Sequence, residues 1–490
     1  MTLTVALNSA RSSLMATGTQ ASAVSRNIAG ADQDGYSRKN ALLATMPGSG
    51  IYVSGIQRAT SAGLFNNVLK AVSTSAQQDT IFNGLQKIAA ATVDDPELDQ
   101  SPTAQLAKLK TALQQYATAP DNVTLAQAAV TAAKGVAASL NDATKTVQAV
   151  RADADSDLST SVTTINQLLA QFETVNTTIV KGTMAKADVT DYLDLRDSIL
   201  SKLSQEVGVT VATRANNDMV VYTDSGVTLF ERSARSVTFV PTNGYSAATV
   251  GNAVYIDGVP VIGASAVMPV HSGKIAGLAA LRDDATVTYQ NQLDEIARGL
   301  IETFAESDQT ASSLPDVAGL FTYPGAPAIP ASGTISAGLA GTIAVSASVD
   351  QSVGGNPSLL RDGGISGGAA YVYNTTGAAG FSNRLQQLVD GVATSRPFDP
   401  AALAKPDANL IDFAGSSVSW LESQRKTASE QSTYSQTLLE RSAEALSNVN
   451  GVNMEDEMSF MLQVERTFSA SSKLIATVDA MLKELLAAVR

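Results

Sequence analysis

Apolar residues near the start of the chain recur at alternating steps of four and three positions, which is the spacing of a coiled-coil seam. The positions on this stripe are Leu3, Leu7, Ala10, Leu14, Thr17, Ala21, Val24 and Ile28. The same spacing returns near the other end of the sequence, at Met461, Val464, Phe468, Ser471, Ile475, Val478, Leu482, Leu485 and Val489. Both ends therefore predict a long helix with a narrow apolar stripe and a polar circumference.

Helical periodicity continues between the two ends. It predicts helices at roughly 60–92, 102–119, 122–182, 273–309, 379–393 and 408–449. If it is unbroken, the third of these helices is about 90 Å long at about 1.5 Å per residue. The C-terminal helix is expected to begin after Asn453 as its N-cap, with Glu455, Asp456 and Glu457 at the positive end of the helix dipole. So much continuous helix is typical of a rod.

The pattern changes at about Val207 to short alternating or β-branched runs, such as "DMVVYTD" and "NAVYIDGVPVI", separated by Gly, Asn and Pro. A chain of 490 residues is also longer than one hydrophobic core usually serves. We therefore predict a multidomain fold, mainly α with a β-rich insert: a terminal coiled-coil domain, a long helical-bundle shaft and a β-rich outer domain. The predicted boundaries are 1–40 with 452–490 for the terminal domain, 41–206 with 375–451 and the helix at 273–309 for the shaft, and 207–272 with 310–374 for the outer domain.

The composition removes several classes of function. A formal net charge of -13 leaves no surface suited to neutralising the phosphates of nucleic acid. The absence of cysteine excludes disulfides, zinc thiolate sites, iron–sulfur clusters and cysteine nucleophiles. The first residues lack the basic region of a secretory signal, and the uncharged run at 317–349 is interrupted by Pro, Gly and Ser. We therefore expect neither ordinary secretion nor a membrane helix.

Candidate chemistry is sparse. The single histidine, His271, has no second histidine or cysteine with which to bind a metal, and "SGKI" lacks the spacing of a phosphate loop. The "DQDG" run at 32–35 fails as an EF-hand calcium loop at both ends, and the acidic "DDPELD" run at 94–99 is most simply a solvated connector. We therefore predict no enzyme, no catalytic residue, no cofactor and no metal site.

Each terminal stripe has two interpretations. It is either the buried face of an ordinary core helix or a seam that forms when copies of the chain bundle together. Burial of one Leu or Ile is worth about 1.5–3 kcal/mol, while ordering the backbone costs about 1–2 kcal/mol per residue. One narrow stripe per helix barely offsets that cost without neighbours. We therefore expect both ends to become ordered chiefly by assembly, which is the behaviour of a polymer subunit.

Two terminal motifs and one internal segment carry a resemblance to a known family. The runs "ASAVSRNIAGADQDGYSR" (21–38) and "GVNMEDEMSFMLQVERTFSASSKLIATVDAMLKELL" (451–486) are similar to the N- and C-terminal signatures of bacterial flagellar axial proteins. The "GYSR" ending of the first run and the segment "DYLDLRDSILSKLSQEVGVTV" (191–211) resemble the subunit at the junction of hook and filament more than hook or rod subunits. Arg26 departs from the pattern, since the family usually has Asn there.

The resemblance implies a structural subunit that is not an enzyme. Such a subunit forms a ring with copies of itself and joins the hook protein on one side to a second junction protein or flagellin on the other. It binds neither nucleic acid nor membrane. The resemblance further implies export through the flagellar type III apparatus, a cytoplasmic export chaperone on the C-terminal helix, and a final location outside the cell in the flagellum.

The resemblance also assigns a role to the loop after the first helix. In the family this helix lines the inner tube, and the chain then turns outward, so that Gly30 and Gly35 relieve the backbone while Tyr36 and Arg38 anchor the turn against neighbouring subunits. The predicted assembly interface consists of Leu3, Leu7, Leu14, Val24, Ile28, Gly35, Tyr36, Arg38, Met461, Val464, Phe468, Ile475, Val478, Leu482 and Leu485. The alternatives are a hook or rod subunit of the same family, a secreted hydrolase carried by 212–370, and a secreted coiled-coil adhesin or membrane-active translocator.

Overall fold

Helices dominate the computed structural model, which describes residues 3–33, 35–46, 50–92 and 100–488. The helices are α1 (Leu3–Gly30), α2 (Ala62–Thr92), α3 (Pro102–Thr118), α4 (Val123–Met184), α5 (Thr190–Glu206), α6 (Lys274–Ala279), α7 (Thr286–Thr303), α8 (Leu339–Thr342), α9 (Leu359–Asp362), α10 (Asn383–Ala393), α11 (Leu410–Asn450) and α12 (Met454–Ala488). A π-helical turn, Ala280–Ala285, joins α6 to α7. The predicted mainly helical, multidomain class is confirmed.

The strands are short. They are β1 (Lys39–Met46), β2 (Gly50–Arg58), β3 (Val209–Thr213), β4 (Met219–Thr223), β5 (Thr228–Phe230), β6 (Val237–Thr238), β7 (Val254–Ile256), β8 (Val259–Ile262), β9 (Phe321–Thr322), β10 (Ala344–Val345), β11 (Arg396–Pro397) and β12 (Asp407–Ala408).

Helix α4 is the central element of the body. The Asn122 side chain caps it by accepting hydrogen bonds from the N–H groups of Thr124 and Leu125. Its buried stripe, which includes Leu140 and Phe172, packs against α2, α3, α5 and α7. By length and composition alone α4 is also apolar enough to span a membrane, a weak indication that the core helices of soluble proteins share. The long helix that the sequence predicted is confirmed as a core helix.

The insert contains less sheet than its sequence pattern predicted. Two antiparallel three-stranded sheets, β3–β4–β5 and β6–β7–β8, lie against α4. There the ring of Phe230 meets that of Phe172 edge to face at 4.9 Å. Between 310 and 374, which we expected to be β-rich, the described strands are the two-residue β9 and β10. The physical reason is that the many Gly and Pro residues of this segment favour turns over strand pairing.

A β-hairpin occupies the start of the region assigned to the helical shaft, from residue 41 onward. Strands β1 and β2 pair antiparallel with a bulge between Leu42 and Leu43. The hairpin packs on α1, where the Ile51 N–H donates a 3.3 Å hydrogen bond to Ser12 Oγ. The β-branched residues of β2 favour a strand here. We call α1, the loop that follows it, β1, β2 and α12 the terminal unit and the rest of the chain the body; this unit extends to the end of β2, beyond the boundary predicted at residue 40.

Candidate assembly surface and its junction with the body

Helices α1 and α12 pair antiparallel. Asn27 lies against Glu457 at 3.0 Å, and the hydroxyls of Ser13 and Ser471 lie 3.0 Å apart further along the pair. Buried positions repeat every seven residues on both helices: Ala10, Thr17 and Val24 on α1, and Val464, Ser471 and Val478 on α12. The expectation that each stripe lacks a partner within one chain is therefore wrong, because the two stripes cover each other.

The predicted interface residues on these helices differ in exposure. Val24, Val464 and Val478 are buried in the seam. The half-buried members are Leu3, Leu7, Leu14, Ile28, Met461 and Ile475. The exposed members are Phe468 at 46%, Leu482 at 36% and Leu485 at 60%. Val489 lies outside the described residues. The apolar stripe of α12 is therefore wider than the part that α1 covers.

A second exposed apolar row on α12 was not predicted. Phe460, Leu474 and Met481 are 36%, 48% and 53% exposed. Each lies three or four positions from a buried seam residue such as Val478, on the opposite side of the seam from Phe468. The sequence signal was the same seven-residue spacing, displaced by one position from the predicted stripe. Helix α12 thus carries one exposed apolar row on each flank of its contact with α1.

The loop after α1 turns the chain back on itself. Gly35 has a φ of +78°, in the left-handed region that favours glycine. Gly30 faces the ring of Tyr36 so closely that a Cβ there would lie 2.6 Å from two of the ring carbons. The loop leads into β1, which returns along α1. The interpretation that this loop carries the chain outward to the shaft is therefore wrong, because the chain enters the body only after β2.

Tyr36 and Arg38 contact residues of their own chain. The Tyr36 hydroxyl donates a 3.1 Å hydrogen bond to Asn27 Oδ1, and burial raises the pKa of Tyr36 to about 12. Arg38 donates through Nε to Glu457 Oε1 at 2.8 Å and through its backbone N–H to the Asn450 carbonyl at 2.7 Å. Contacts of either side chain with neighbouring subunits stay a prediction.

Glu457 and Asn27 form the centre of a buried polar cluster. Glu457 accepts hydrogen bonds from Arg38 Nε and from Asn27 Nδ2, and both Glu457 and Asn27 are buried. Asn27 also accepts from the Lys39 N–H at 2.8 Å and donates to the Lys39 carbonyl at 2.9 Å. Four segments therefore meet here: α1, the loop, β1 and α12. Neither Asn27 nor Glu457 was among the predicted site residues, although both lie in the terminal motifs.

Cations of the terminal unit face a row of aspartates at the start of α5. The pairs are Arg26 with Asp188 and Asp191 at 3.1 and 3.7 Å, Lys39 with Asp191 and, at 3.5 Å, Asp194, and Arg58 with Asp194 and Asp197 at 3.1 and 2.7 Å. Each cation thus bridges two successive aspartates. We call this set the aspartate ladder.

The environment shifts the pKa values of several groups around the ladder. Burial raises the pKa of Asp197, although the charge of Arg58 opposes it. Burial acts in the same direction on Asp188, but hydrogen bonds from Thr190 and Arg26 outweigh it and hold the pKa of that carboxyl below its usual value. Burial lowers the pKa of Arg196 to about 10. The Arg196 side chain donates to Asn176 on α4 at 3.0 Å, which fixes α5 on the body.

The residues singled out for chemistry are not brought together. Among the described residues, no group of three or more His, Cys, Asp or Glu is placed to hold a metal ion. The backbone N–H of the exposed His271 donates to the Asp224 carboxylate. The acidic run at 94–99 lies outside the part of the chain that the structure describes.

Comparison with known proteins gives matches in two regions. A family model described as the flagellar hook-associated protein FlgK helical domain matches residues 96–320, and one described as the flagellar basal body rod FlgEFG protein C-terminal matches residues 445–488. Flagellar hook-associated protein 1 of Salmonella typhimurium (strain LT2) is 27% identical over 61% of this chain and 55% of that protein. The protein of the same name from Bacillus subtilis (strain 168) is 21% identical over 98% of this chain and 97% of that one.

Among solved structures, the flagellar hook junction protein FlgK from Burkholderia pseudomallei matches with a TM-score of 0.41 and 22% identity, over 53% of this chain and 46% of that one. The chain spans about half the length of the enterobacterial relatives that it matches, 55% for Salmonella typhimurium and 56% for Escherichia coli (strain K12).

The helical body and the C-terminal helix, the two regions with a family match, are both similar to flagellar axial proteins. Within that class, the chain is similar to flagellar hook-associated protein 1, over 61% of its length for the Salmonella typhimurium protein and over 98% for the Bacillus subtilis protein. The resemblance inferred from the terminal motifs and from 191–211 is confirmed.

Proposed function

We propose that this chain is a structural subunit that forms the junction between the hook and the filament of the bacterial flagellum. The observation that carries the proposal is the pair of exposed apolar rows on α12. One row contains Phe468 and Leu482, and the other contains Phe460, Leu474 and Met481. Exposed apolar rows of this regularity mark a surface that is covered in the working state of a protein.

The position of the two rows favours a ring over a dimer. They flank the contact with α1 on opposite sides, so a single neighbouring helix cannot cover both. Two neighbours per subunit, in a repeated contact between unlike faces, would cover both rows and generate a closed ring or a tube. Each residue is already about half covered, so full burial contributes on the order of 1 kcal/mol per side chain. The contribution repeats around the ring.

The partners follow from the position in the flagellum. They are other copies of the chain, the hook protein on one side, and a second junction protein or flagellin on the other. The same proposal includes export through the flagellar type III apparatus, a cytoplasmic chaperone on the C-terminal helix and a location outside the cell. It also includes the lack of enzyme activity. The match to the FlgK helical domain over 96–320 supports a junction subunit over a hook or rod subunit.

The decisive experiment replaces one exposed residue of each row, Phe468→Asp with Leu474→Asp. Because both positions are about half exposed in the free chain, its thermal unfolding should change little. In the assembled ring both carboxylates would be buried without partners, which costs several kcal/mol per site. In a strain that lacks its own copy, the variant should be secreted into the medium but should not support filaments. Ser469→Asp is the matched control, since Ser469 is an exposed polar position on the same helix.

Two outcomes would contradict the proposal. Normal filaments from the double variant would show that the exposed rows are not assembly contacts. Immuno-electron microscopy that finds the chain anywhere other than the distal end of the hook would overturn the assignment to the junction, and label scattered over the cell surface would favour an adhesin.

A further inference from the structure

The aspartate ladder has a regular offset. Its acidic members recur at three-residue intervals, from just before α5 to the middle of that helix: Asp188, Asp191, Asp194 and Asp197. Each basic member lies between two successive aspartates, and the basic members come from α1, β1 and β2 in turn. Because α1, β1 and β2 each contribute one cation, the ladder holds all three elements in a fixed position against α5.

The middle of the ladder is shielded from water. The Lys39 side chain is buried, those of Arg58 and Asp194 are nearly so, and that of Asp191 is exposed. Ion pairs that are partly buried are screened by salt less than surface pairs, and breaking one costs more, because it leaves a charge unpaired away from water. The ladder is therefore able to fix an orientation, which an ordinary set of surface charges is not.

Open space lies on both sides of the ladder. A cleft of about 920 Å³ separates the loop at 31–38 from α5 and the end of α11. A second cleft of about 1020 Å³ separates β2 from the turn between α4 and α5 and from β3 and β4. The chain passes between the terminal unit and the body at 59–61 and at 451–453. Besides the ladder, the terminal unit is therefore joined to the body by these two chain crossings and by the hydrogen bond from the Arg38 N–H to the Asn450 carbonyl.

We propose that the aspartate ladder sets the tilt of the terminal unit on the body, and that opening the ladder lets the unit tilt about its two chain crossings while both parts stay folded. The segment 191–211 then has a physical role: its aspartates position the part of the chain that carries the exposed apolar rows. This inference concerns the free chain, so it holds or fails independently of the proposed place in the flagellum.

The test measures the orientation of the two parts in solution. Because the chain has no cysteine, Ser469→Cys on α12 and Thr160→Cys on α4, both exposed, can carry spin labels without other changes. Double electron–electron resonance on the full-length monomer should give one narrow distance distribution. Asp191→Asn with Asp194→Asn should broaden that distribution and shift its mean, since Lys39 loses both partners. Raising NaCl from about 0.1 to 1 M shortens the screening length from about 10 to 3 Å and should have a smaller effect in the same direction, because only the more exposed pairs of the ladder are screened.

The controls separate tilting from unfolding. Asp153→Asn removes the exposed pair with Lys87, 3.5 Å apart, and should leave the distribution unchanged. Circular dichroism should report full helix content in the ladder variant. If that variant does not fold, Asp191→Asn alone decides the question, because the Asp191 carboxylate is exposed. A distribution that stays narrow and unshifted in the variant that folds would overturn the inference.

Discussion

Asn27 on α1 donates a 3.0 Å hydrogen bond to Glu457 on α12, and this contact joins residues 430 positions apart in the chain. Both side chains are buried, and Glu457 has a second donor in Arg38. A buried carboxylate needs such donors, because leaving it unpaired is costly. The first and last helices are therefore held at one end by a polar lock and along their length by the seven-residue seam.

We predict that Glu457→Ala loosens the α1–α12 pair without unfolding the body. The Asn27 amide group would lose a buried acceptor, which costs about 1–3 kcal/mol. A cost of about 1.4 kcal/mol changes the equilibrium constant for opening of the helix pair by a factor of ten. Hydrogen exchange should therefore show roughly tenfold or greater loss of protection in α1 and α12. Glu455→Ala, two residues away and exposed, is the control. Equal protection in the two variants would show that the lock contributes nothing.

Gly30 offers a steric test of the loop. A methyl group at this position would lie 2.6 Å from the Tyr36 ring, so Gly30→Ala should force the ring out of its place and destabilise the terminal unit. Gly18→Ala in the same helix has nothing within 4 Å of the added carbon and should be neutral or stabilising by about 0.5–1 kcal/mol. The thermal unfolding of α1 would be measured in both variants, Gly30→Ala and Gly18→Ala, and compared. A Gly30→Ala variant as stable as Gly18→Ala would show that the Tyr36 packing is not required.

The helices could be predicted from the sequence because their signals are local. A periodic apolar stripe and a capping residue such as Asn122 lie within the element that they define. The seam on α12 was found for the same reason. The second exposed row on α12 was not predicted, because an apolar stripe in the sequence marks only an apolar face. Which part of that face stays uncovered depends on where α1 packs.

The ladder and the hairpin could not be predicted from the sequence. Arg26, Lys39 and Arg58 belong to three different elements, and nothing near any of them specifies that all three face α5. The hairpin begins soon after a strong helix motif, and its strands pair with each other and pack on α1. Contacts between distant segments of this kind are decided by tertiary packing.

Asp155 holds the insert to α4, and its replacement tests that attachment. Its carboxylate accepts hydrogen bonds from Arg282 at 2.7 Å, the Tyr245 hydroxyl at 2.6 Å and the Thr242 N–H at 2.7 Å. Removing one partner of a buried ion pair costs about 3–5 kcal/mol. We expect Asp155→Asn to lose somewhat less, about 2–3 kcal/mol, because Arg282 keeps Asp283. Urea unfolding followed by circular dichroism would measure the change, and a loss below about 1 kcal/mol would contradict the role.

Asp294 on α7 predicts a pH dependence of stability in the body. It is fully buried, and burial raises the pKa of its carboxyl to about 6, against hydrogen bonds from the Ala340 and Gly338 N–H groups and from Gln290. The charge of Glu295 raises the pKa further. In the unfolded chain the pKa is about 3.9. Between these two values the folded state holds more protons than the unfolded state, so the stability due to Asp294 falls as pH rises.

The contribution of Asp294 is therefore complete below about pH 4 and is lost as pH rises through about 6, an effect on the order of 3 kcal/mol. Asp294→Asn cannot ionise. We expect the free energy of unfolding of the natural chain, relative to this variant, to decrease between about pH 4 and 7.5. Urea unfolding across that range would measure it, with Asp142→Asn, an exposed position paired with Lys145, as the control. A difference that stays constant with pH, or that grows as pH rises, would show that Asp294 is ionised in the folded chain throughout, held by the two N–H groups that it accepts from.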